Sequence, residues 1–539
     1  MKSKKHYYII FILLIGSIFL SAIGCKKQEK KSDAASIAII EESTEETLYR
    51  PNFHFTPKAN WMNDPNGMFY LNGNYHLYFQ YYPDGNVWGP MHWGHAISKD
   101  MITWEEQQVA LYPDDLGYIF SGSAVVDKNN TSGLAKDGIN PVVAFFTYHD
   151  AKSETEGNIN YQSQAIAYSF NEGMTWTKYE NNPVISNPNI KDFRDPKVIW
   201  DVSNKKWIMV LAAGNKIMFY SSLNLKEWTL ESDFGENIGA HGGVWECPDL
   251  FPMKVNDSDE TKWVLIVSIN PGGPNGGSAT QYFVGDFDGN KFELDKDFSN
   301  QLEKENSIWL DYGRDNYAGV TWSNIPEKDD RKLFMGWMSN WEYARDVPTY
   351  TWRSSMTIAR ELKLKKVNNA FYLQSIPVNE LYSYTKKSIT KDSIKTNEIK
   401  EVFSDENINM SRLNIEFELK KIKKEIYNII FYNKEGDTVS LGLNNIKHEF
   451  FIDRKKSGKV DFSDKFASNI SIFKTSNIFE ELNVQILLDK TSVEVFYNDG
   501  EIVMTELFFP NHPLEMFSIE SEDKTFKIEN LKIQEFKFN

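Results

Sequence analysis

Hydrophobic and polar residues along most of this chain follow the pattern of short β-strands. Several runs are rich in aromatic and β-branched side chains and are bounded by glycine, asparagine, aspartate or proline. They include Tyr75 to Gln80, Val142 to Thr147, Trp207 to Ala212, Trp263 to Ser268 and Lys332 to Trp337. Runs of this length and composition are typical of strands, and their regular recurrence predicts an all-β fold.

A partial internal repeat runs through the first part of the chain. Ser98 to Trp104 recurs as Ser222 to Trp228, and a version one residue longer runs from Ser169 to Trp176. Each copy has the features of a strand end, a polar turn and a tryptophan that opens the next strand. Such widely spaced repeats favour the four-stranded blades of a β-propeller. Innermost strands of a propeller surround one axis, so residues far apart in sequence can converge there.

The composition changes near residue 370. Tryptophan is absent after Trp352, while lysine, isoleucine, asparagine and glutamate become frequent. Ser492 to Tyr497 alternates as a strand and leads into Asn498-Asp499-Gly500, which is a hairpin signal. These features predict a β-sandwich over residues 370–539. The propeller is expected to precede the sandwich, from residue 48 onward.

The N-terminus has the features of an export signal. Three lysines precede an apolar run from Tyr7 to Leu20, which is short for a bilayer span, so residues 1–24 are predicted to be a signal peptide. The segment Ser21 to Cys25 resembles a bacterial lipobox, with Ala22 where leucine is usual, and implies lipidation of Cys25. Residues 25–47 would then be the lipidated cysteine and a flexible tether. The expected location is the bacterial cell envelope, with the membrane reached through the lipid.

Length, charge and cysteine content narrow the functional classes. A chain of 539 residues suits two domains. The formal net charge of −16 argues against nucleic acid as a partner. Two cysteines cannot build a disulfide framework or a zinc site, and neither a His-Glu-x-x-His run nor a phosphate-binding loop is present. No cofactor and no metal are therefore expected.

Three carboxylates stand beside prolines in aromatic surroundings. They lie in Trp61 to Gly67, in Arg194-Asp195-Pro196, and in Trp245 to Asp249. Proline after Asp64 disfavours a helical conformation, and Asn66-Gly67 tolerates positive φ, so the first segment is predicted to be a turn. Taken singly, the three segments also fit a surface turn, a local ion pair and a loop stiffened by proline.

Together and in this order, the three segments resemble the signatures of glycoside hydrolase family 32, the fructan hydrolases and invertases. The segment from Trp352-Arg353 to Leu362 resembles the last propeller segment of the family, so the propeller is expected over residues 48–365, and the resemblance covers residues from about 50 to the end. It implies a five-bladed β-propeller followed by a C-terminal β-sandwich. It also implies a retaining mechanism, in which one carboxylate attacks the anomeric carbon and a second carboxyl group protonates the leaving oxygen.

The resemblance assigns roles to individual residues. Asp64 would be the nucleophile, Glu246 the general acid/base, and Asp195 the group that holds sugar hydroxyls and stabilises the transition state. In a retaining enzyme, the two reacting carboxyl groups should lie about 5–5.5 Å apart. Seven further residues are implied in substrate binding: Asn63, Gln80, Trp88, Phe120, Ser121, Arg194 and Trp341.

Other residues receive structural expectations. Trp88 and Trp341 could belong to the core instead of the site. His54, His92 and His95 have no carboxylate paired with them in sequence and are expected to be structural. Cys247 is expected to serve packing, since Cys25 is assigned to the lipid.

The sequence as a whole predicts a secreted, lipid-anchored β-fructosidase that hydrolyses levan- or inulin-type fructans, sucrose or both. An exo-acting pocket that releases fructose is expected, with an endo-levanase or a fructosyltransferase as the alternatives. The glycine-rich segment from Asn270 to Gly277 is the candidate for a loop that would open the site. A non-catalytic binding propeller and an inverting relative of the same shape also remain open. Linkage preference, chain-length preference and oligomeric state are not fixed by the sequence.

Overall fold

The computed structural model describes residues 45–395, 400–404 and 408–538 of the chain. The predicted signal peptide of residues 1–24, Cys25, and all but the last residues of the predicted tether 25–47 lie outside the described residues. Within the described part of the chain, no helix is both long and apolar enough to cross a membrane.

Five consecutive sheets form the propeller, and in each blade neighbouring strands are antiparallel. Blade 1 contains β1 (Asn60–Leu71), β2 (Asn74–Tyr82), β3 (His92–Ser98) and β4 (Glu105–Glu106). Blade 2 contains β5 (Tyr118–Val126), β6 (Val142–His149), β7 (Gln162–Ser169) and β8 (Thr177–Lys178). Blade 3 contains β9 (Phe193–Asp201), β10 (Lys206–Ala213), β11 (Ile217–Ser222) and β12 (Thr229–Phe234). Blade 4 contains β13 (Val244–Lys254), β14 (Thr261–Asn270), β15 (Ala279–Phe287) and β16 (Phe292–Leu294).

The fifth blade is less regular than the others. It contains β17 (Tyr317–Thr321), β18 (Lys332–Met338), β20 (Ser355–Met356), β21 (Arg360–Val367) and β22 (Ala370–Pro377). Before β20, the short strand β19 (Trp352–Arg353) pairs in parallel with the start of β1, which links the last blade to the first. Two short helices interrupt the propeller: α1 (Ala151–Thr155) follows β6, and α2 (Lys296–Glu305) follows β16.

The remaining strands form two six-stranded sheets after a 3-10 helix (Asn379–Tyr384). One sheet has the order β23 (Thr385–Lys395), β34 (Lys527–Phe536), β25 (Arg412–Lys420), β30 (Glu481–Asp489), β31 (Ser492–Tyr497) and β32 (Ile502–Leu507). The other has the order β24 (Lys400–Phe403), β33 (Met516–Glu520), β26 (Ile426–Tyr432), β27 (Thr438–Asn444), β28 (Glu449–Lys456) and β29 (Ser471–Lys474). The all-β propeller and sandwich expected from the sequence are therefore present.

The expected domain boundary near residue 365 is too early. Strand β21 pairs with β18, and β22 pairs with β21 from Arg360↔Pro377 to Val367↔Ala370. Both strands thus complete the last blade, and the propeller extends to Pro377. The boundary was expected near 365 because the last family segment recognised in the sequence ends at Leu362, whereas β21 continues to Val367 and pairs with β22 as a further strand of the blade.

The repeated segment forms the outermost turn of blades 1 to 3. In blade 1, the Ser98 hydroxyl oxygen accepts the backbone N–H of Met101 at 2.8 Å, and the Trp104 indole donates to the Met101 carbonyl at 3.1 Å. Blade 3 repeats both hydrogen bonds with Ser222, Leu225 and Trp228. In blade 2, the Ser169 hydroxyl oxygen likewise accepts the backbone N–H of Gly173. The serine therefore closes the turn in all three blades, and the tryptophan does so in blades 1 and 3.

Buried ion pairs join the propeller to the sandwich. Arg360 of β21 is fully buried and pairs with Glu494 of β31 and with Asp311. Arg454 of β28 pairs with Asp315, which precedes β17, at 2.6 Å. Breaking a buried pair leaves an uncompensated charge, so these contacts strongly favour one arrangement of the two domains.

Candidate active site

Each innermost strand carries a bulge near its start. At each bulge, two residues of the inner strand lie opposite one residue of the next strand, which kinks the strand and re-aims its side chains. The bulged pairs are Asn63-Asp64 in β1, Phe120-Ser121 in β5, Asp195-Pro196 in β9, Cys247-Pro248 in β13 and Ala318-Gly319 in β17. The five bulges therefore surround the propeller axis at one end.

The segment that was expected to be a turn is instead part of a bulged strand. Trp61 to Gly67 lies inside β1 and is part of a strand. Pro196 and Pro248 occupy bulges, where the ladder does not require a backbone N–H from them. The strain is local: Asp195 has φ 64° and Cys247 has φ 45°. Proline and positive φ, which suggested turns in the sequence, are features of bulged strands here.

A pocket of about 300 Å³ opens above the bulges. All ten residues that were expected in catalysis or substrate binding line it: Asn63, Asp64, Gln80, Trp88, Phe120, Ser121, Arg194, Asp195, Glu246 and Trp341. Trp88 and Trp341 are only partly buried and present part of each ring to this pocket, although both also pack against a core cluster.

Asp64 is held by neighbours on its own strand and on blade 2. Its Oδ2 accepts the Ser121 hydroxyl at 2.7 Å, and its Oδ1 accepts the Asn63 amide at 2.9 Å. The Trp61 indole donates to Asn63 Oδ1 at 2.7 Å, which turns the amide N–H₂ toward Asp64. Burial raises the pKa of Asp64, and the negative charge of Glu246 adds to this effect. The hydrogen bonds from Ser121 and Asn63 lower the pKa and so oppose the shift.

Glu246 has a different set of partners. Its Oε1 accepts Arg194 Nη2 at 2.6 Å, and its Oε2 accepts the hydroxyl of Tyr317. Arg194 is itself held by Asp192, whose Oδ1 accepts Nη1 at 2.7 Å. Tyr317 was not identified in the sequence, because no motif marks it until β17 is placed against β13.

Asp195 completes the group of acids. Its Oδ2 accepts the backbone N–H of Cys247 at 3.0 Å, and its own N–H donates to Thr147 Oγ1 at 3.0 Å. Burial raises the pKa of Asp195 to about 7; Arg194 opposes the shift, and the charges of Glu246 and Asp64 add to it. This carboxyl group is therefore able to carry a proton near neutral pH.

Cys247 does more than the packing expected of it. Its Sγ lies 3.6 Å from Asp64 Oδ2 and 3.6 Å from Asp195 Oδ2, between the two acids. Burial and the three nearby carboxylates raise the pKa of the thiol well above its usual range, so it stays protonated and can donate a weak hydrogen bond.

The arrangement supplies the parts that glycoside hydrolysis requires. Two carboxyl groups, Asp64 and Glu246, face one pocket from different blades and interact electrostatically. Hydroxyl and amide donors contact one, and a guanidinium and a phenol contact the other. Paired carboxyl groups in unlike environments are the basis of acid and nucleophile assignments in glycosidases.

Comparison with known proteins agrees with this chemistry. The model of the Glycosyl hydrolases family 32 N-terminal domain matches residues 54–375, and that of the family 32 C-terminal domain matches residues 380–535. The chain belongs to glycoside hydrolase family 32. It is therefore a glycoside hydrolase. The first match ends at residue 375, inside β22, and the second begins at residue 380, inside the 3-10 helix.

Individual relatives of this family 32 enzyme cover nearly its whole length. A levanase of Bacillus subtilis is 45% identical over 512 residues, which are 94% of this chain and 72% of the levanase. An extracellular exo-inulinase of Aspergillus niger is 41% identical over 498 residues, covering 86% of this chain and 90% of that protein. The crystal structure of an exo-inulinase from Aspergillus awamori superposes with a TM-score of 0.80 and 35% identity, over 91% of this chain and 98% of that one.

The family 32 pocket has further lining residues that sequence reasoning missed. They are His149, Glu154, Tyr161, Gln162, Asp192, Asn270 and Arg345. Most lie at the ends of strands: His149 and Asn270 are last residues, Gln162 is a first residue, Tyr161 and Asp192 directly precede strands, and Glu154 belongs to helix α1. Their immediate sequence has no distinctive motif, so they are found only when the strands have been placed around the axis.

The glycine-rich segment from Asn270 to Gly277, the candidate for a loop that would open the site, contacts both the pocket and the sandwich. Of Asn270 to Gly277, Asn270 lines the pocket. Asn275 instead donates to the Tyr312 carbonyl at 2.7 Å and accepts the backbone N–H of Ile472, in strand β29 of the sandwich, at 2.8 Å. Asn275 thus anchors the loop to the sandwich.

The three histidines that were expected to be structural lie outside the pocket lining. His54 binds Asp489 and Glu494 at the sandwich, His95 stacks on Tyr78 and hydrogen bonds with His76, and His92 hydrogen bonds with the Pro90 carbonyl. Among the residues that the structure describes, no group of three or more His, Cys, Asp and Glu side chains has the arrangement of a metal site.

Proposed function

We propose that this family 32 enzyme hydrolyses β-D-fructofuranosyl linkages in fructans and releases fructose from chain ends. The observation that carries the proposal is the convergence of Asp64 and Glu246 in one pocket lined by aromatic rings. The levanase and exo-inulinase relatives support a fructan as the substrate. Sucrose, which carries the same fructosyl group, is a further substrate of this proposal.

Asp64 is proposed as the nucleophile. Its ionised carboxylate attacks the anomeric carbon of the terminal fructose and forms a covalent fructosyl-enzyme, which water then hydrolyses with retention of configuration. The Ser121 and Asn63 hydrogen bonds favour the ionised form and fix the direction of attack.

Glu246 is proposed as the general acid and base. It gives a proton to the leaving oxygen in the first step and takes one from water in the second. Its two oxygens are oriented by Arg194 and Tyr317. Both partners are bound elsewhere in the fold, so the carboxyl group is held in place before substrate arrives.

The other pocket residues are proposed to bind the terminal fructose. Asp195 would accept hydrogen bonds from sugar hydroxyls, while Trp88, Phe120 and Trp341 provide apolar surface for its carbon faces. Trp88 packs edge-to-face on Phe120 at 6.0 Å, and Trp341 stacks on Trp61 at 5.8 Å. Rings held in this way lose little freedom on binding, which favours affinity.

The exo mode follows from the small size of the pocket. A volume of about 300 Å³ is at the lower end of ligand sites and suits one terminal unit with part of its neighbour. Glu154, Tyr161 and Arg345 also line the pocket. A mid-chain unit would need room on both sides of the acids.

Parallel assays on levan, inulin and sucrose test the proposal. Early digestion should yield fructose without oligosaccharides, and the first anomer released should retain the β configuration. An oligosaccharide ladder before any fructose would indicate an endo enzyme. Transfer of fructose to sugar in preference to water would indicate a transferase, and the α-anomer would contradict the role of Asp64.

We also propose that the enzyme is exported and lipid-anchored through Cys25. The apolar run before Cys25 and its lipobox-like end support this, and the A. niger relative is named as extracellular. One acyl chain binds membranes only marginally, so several chains on the cysteine are needed for stable anchoring. Cys25→Ala should move activity from the membrane fraction to the soluble fraction or block processing. A wild-type enzyme already soluble after export would contradict the anchor.

A further inference from the structure

A second cavity lies at the opposite end of the propeller from the acids. The innermost strands begin near the catalytic pocket and run away from it, and the far ends of β9 and β13 line this cavity together with the segment after β17. Its volume is about 710 Å³, against about 300 Å³ for the catalytic pocket. The two cavities share no lining residue.

Two tryptophans give this distal cavity partly exposed aromatic walls. Trp200 lies near the end of β9 and packs edge-to-face on Trp207 at 4.9 Å. Trp263 lies near the start of β14 and packs in the same way on Phe287 at 5.2 Å. Each of these two rings packs against another ring, which restricts its motion and leaves its open part as a rigid apolar surface.

The charges around the distal cavity nearly cancel. Lys197 on its floor is paired with Asp249 at 3.0 Å, and Arg331 is paired with Asp329 and Glu380. The other charged groups of the lining are Lys128, Asp201, Glu327 and Lys332. Since two are basic and two acidic, the lining favours a neutral ligand with many hydroxyl groups over an anion.

We propose that the distal cavity is a second carbohydrate-binding site that holds a stretch of fructan remote from the unit being hydrolysed. Rigid indole faces suit the carbon faces of sugar rings, and the surrounding amide, hydroxyl and charged groups suit their hydroxyls. The choice of fructan as the sugar rests on the proposed function. A second site raises the effective concentration of chain ends for polymers alone, because short sugars cannot reach both sites.

Blocking the mouth of the distal cavity tests the proposal without disturbing the core. Val202 lies on the cavity lining and is 76% exposed. Leu223 lies in another turn of the same blade, is 75% exposed and is absent from the lining, which makes Leu223→Arg a matched control for Val202→Arg. Val202→Arg should raise KM for levan by about fivefold or more and leave kcat/KM for sucrose within about twofold of wild type. If Val202→Arg and Leu223→Arg had the same KM for levan, the proposal of a second binding site would be wrong.

A binding experiment tests the distal cavity without relying on catalytic turnover. Full-length Asp64→Asn protein is run through native gels that contain levan, with and without Trp200→Ala and Trp263→Ala together. Tyr168→Ala is the control, because Tyr168 packs against the same core cluster as Trp200 but does not line the cavity. Loss of retardation with the double tryptophan variant supports the site, and unchanged retardation contradicts it.

The same gels distinguish the ligand class and the proposed function. If inorganic phosphate abolishes the retardation by levan and fructo-oligosaccharide does not, the distal cavity binds an anion and the assignment to a neutral sugar is wrong. Absence of hydrolysis by wild-type protein on levan, inulin and sucrose would contradict the proposed function. Tryptophan-dependent retardation in that case would still support a polysaccharide site at the distal cavity.

Discussion

At the scale of single residues, the site is defined by which groups contact each carboxylate. Asp64 receives a hydroxyl and an amide, whereas Glu246 receives a guanidinium and a phenol. These partners come from three other strands as well as from the neighbouring residue. The two acids therefore differ in the donors that contact them.

Asp64→Asn should abolish turnover while leaving the fold intact. The amide keeps the shape of the side chain but cannot form the covalent intermediate, and loss of a nucleophile costs on the order of 10⁴-fold or more in kcat. Single-turnover assays on sucrose and levan measure this, and circular dichroism checks the fold. Asp233→Asn, which changes an exposed carboxylate paired with Lys216, is the control. Activity of Asp64→Asn within tenfold of wild type would contradict the nucleophile.

Glu246→Gln should reduce turnover by roughly 10²–10⁴-fold on sugar leaving groups, because general acid help is lost. The loss should be smaller on an aryl β-fructofuranoside, whose leaving group needs no proton. Comparing kcat on the two substrate types measures the difference. Equal losses on both would count against Glu246 as the acid.

Ser121→Ala should shift the acidic limb of the kcat/KM profile to higher pH. The hydrogen bond from the Ser121 hydroxyl stabilises ionised Asp64 and therefore lowers the pKa of Asp64. Without this hydrogen bond the pKa of Asp64 is higher, so Asp64 becomes protonated, and inactive as a nucleophile, at a higher pH. Ser123→Ala is the control, because that hydroxyl donates to the Pro196 carbonyl. A uniform fall in kcat/KM with no change in the limb would show that Ser121 serves binding alone.

At the scale of elements, the five bulged inner strands are the device that gathers the site. A regular strand alternates its side chains between two faces, whereas a bulge places two adjacent residues against one partner and turns a side chain toward the axis. Gly122 follows the bulge of β5, and a Cβ there would lie 1.9 Å from the Phe145 carbonyl oxygen. Glycine is thus required for close approach of two strands beside Ser121.

Gly122→Ala should lower both stability and the activity of the molecules that remain folded. The clash should cost roughly 1–3 kcal/mol and move Ser121 away from Asp64. Gly285→Ala is a matched control in blade 4, where a Cβ would lie 2.1 Å from the Glu293 carbonyl oxygen, far from the acids. Urea unfolding and active-site titration separate the two effects. Equal specific activity of the two variants, per folded molecule, would contradict the role of the bulge.

At the scale of the whole molecule, buried charges fix the propeller on the sandwich. His54 precedes β1 and bridges Asp489 and Glu494 of the sandwich at 2.9 and 2.7 Å. Burial disfavours the charged imidazole, but hydrogen bonds to both carboxylates outweigh it and raise the pKa of His54 to about 9. The ring is therefore protonated at neutral pH, and it links the segment before the first blade to the second domain.

The folded enzyme should lose stability as pH rises from about 7 to 10. The folded-state pKa of His54 lies above its unfolded value, so its contribution is complete below the unfolded pKa of about 6.5 and is lost as pH passes through about 9. His54→Gln should cost about 3 kcal/mol at pH 6 and flatten this alkaline decline. Urea unfolding at several pH values measures both, with exposed His512→Gln as control. An equally steep decline in His54→Gln would exclude His54 as the cause.

The sequence by itself determined the strand pattern, the recurring outer turn and the acidic motifs, while the number of blades came from the family resemblance. Runs in which hydrophobic and polar residues alternate form strands, because a strand places successive side chains on opposite faces. The turn from serine to tryptophan recurs because its hydrogen bonds join residues that are close in sequence. The three acidic motifs are short segments whose residues act at bulges within one strand, so they are recognisable in one dimension. Gln80, Trp88 and Trp341 were found through the family resemblance, since no local pattern marks them.

Only the tertiary structure decided what the acids contact and where the blades end. Tyr317 reaches Glu246, and Cys247 reaches Asp64, across strands from different blades, and such contacts depend on the closure of the propeller. The prolines indicated turns because a bulge and a turn share the same local conformations; strand pairing alone distinguishes them. The last blade ends at Pro377 because β22 pairs with β21. Pairing between distant segments leaves little trace in local composition, which is why the sequence placed that boundary too early.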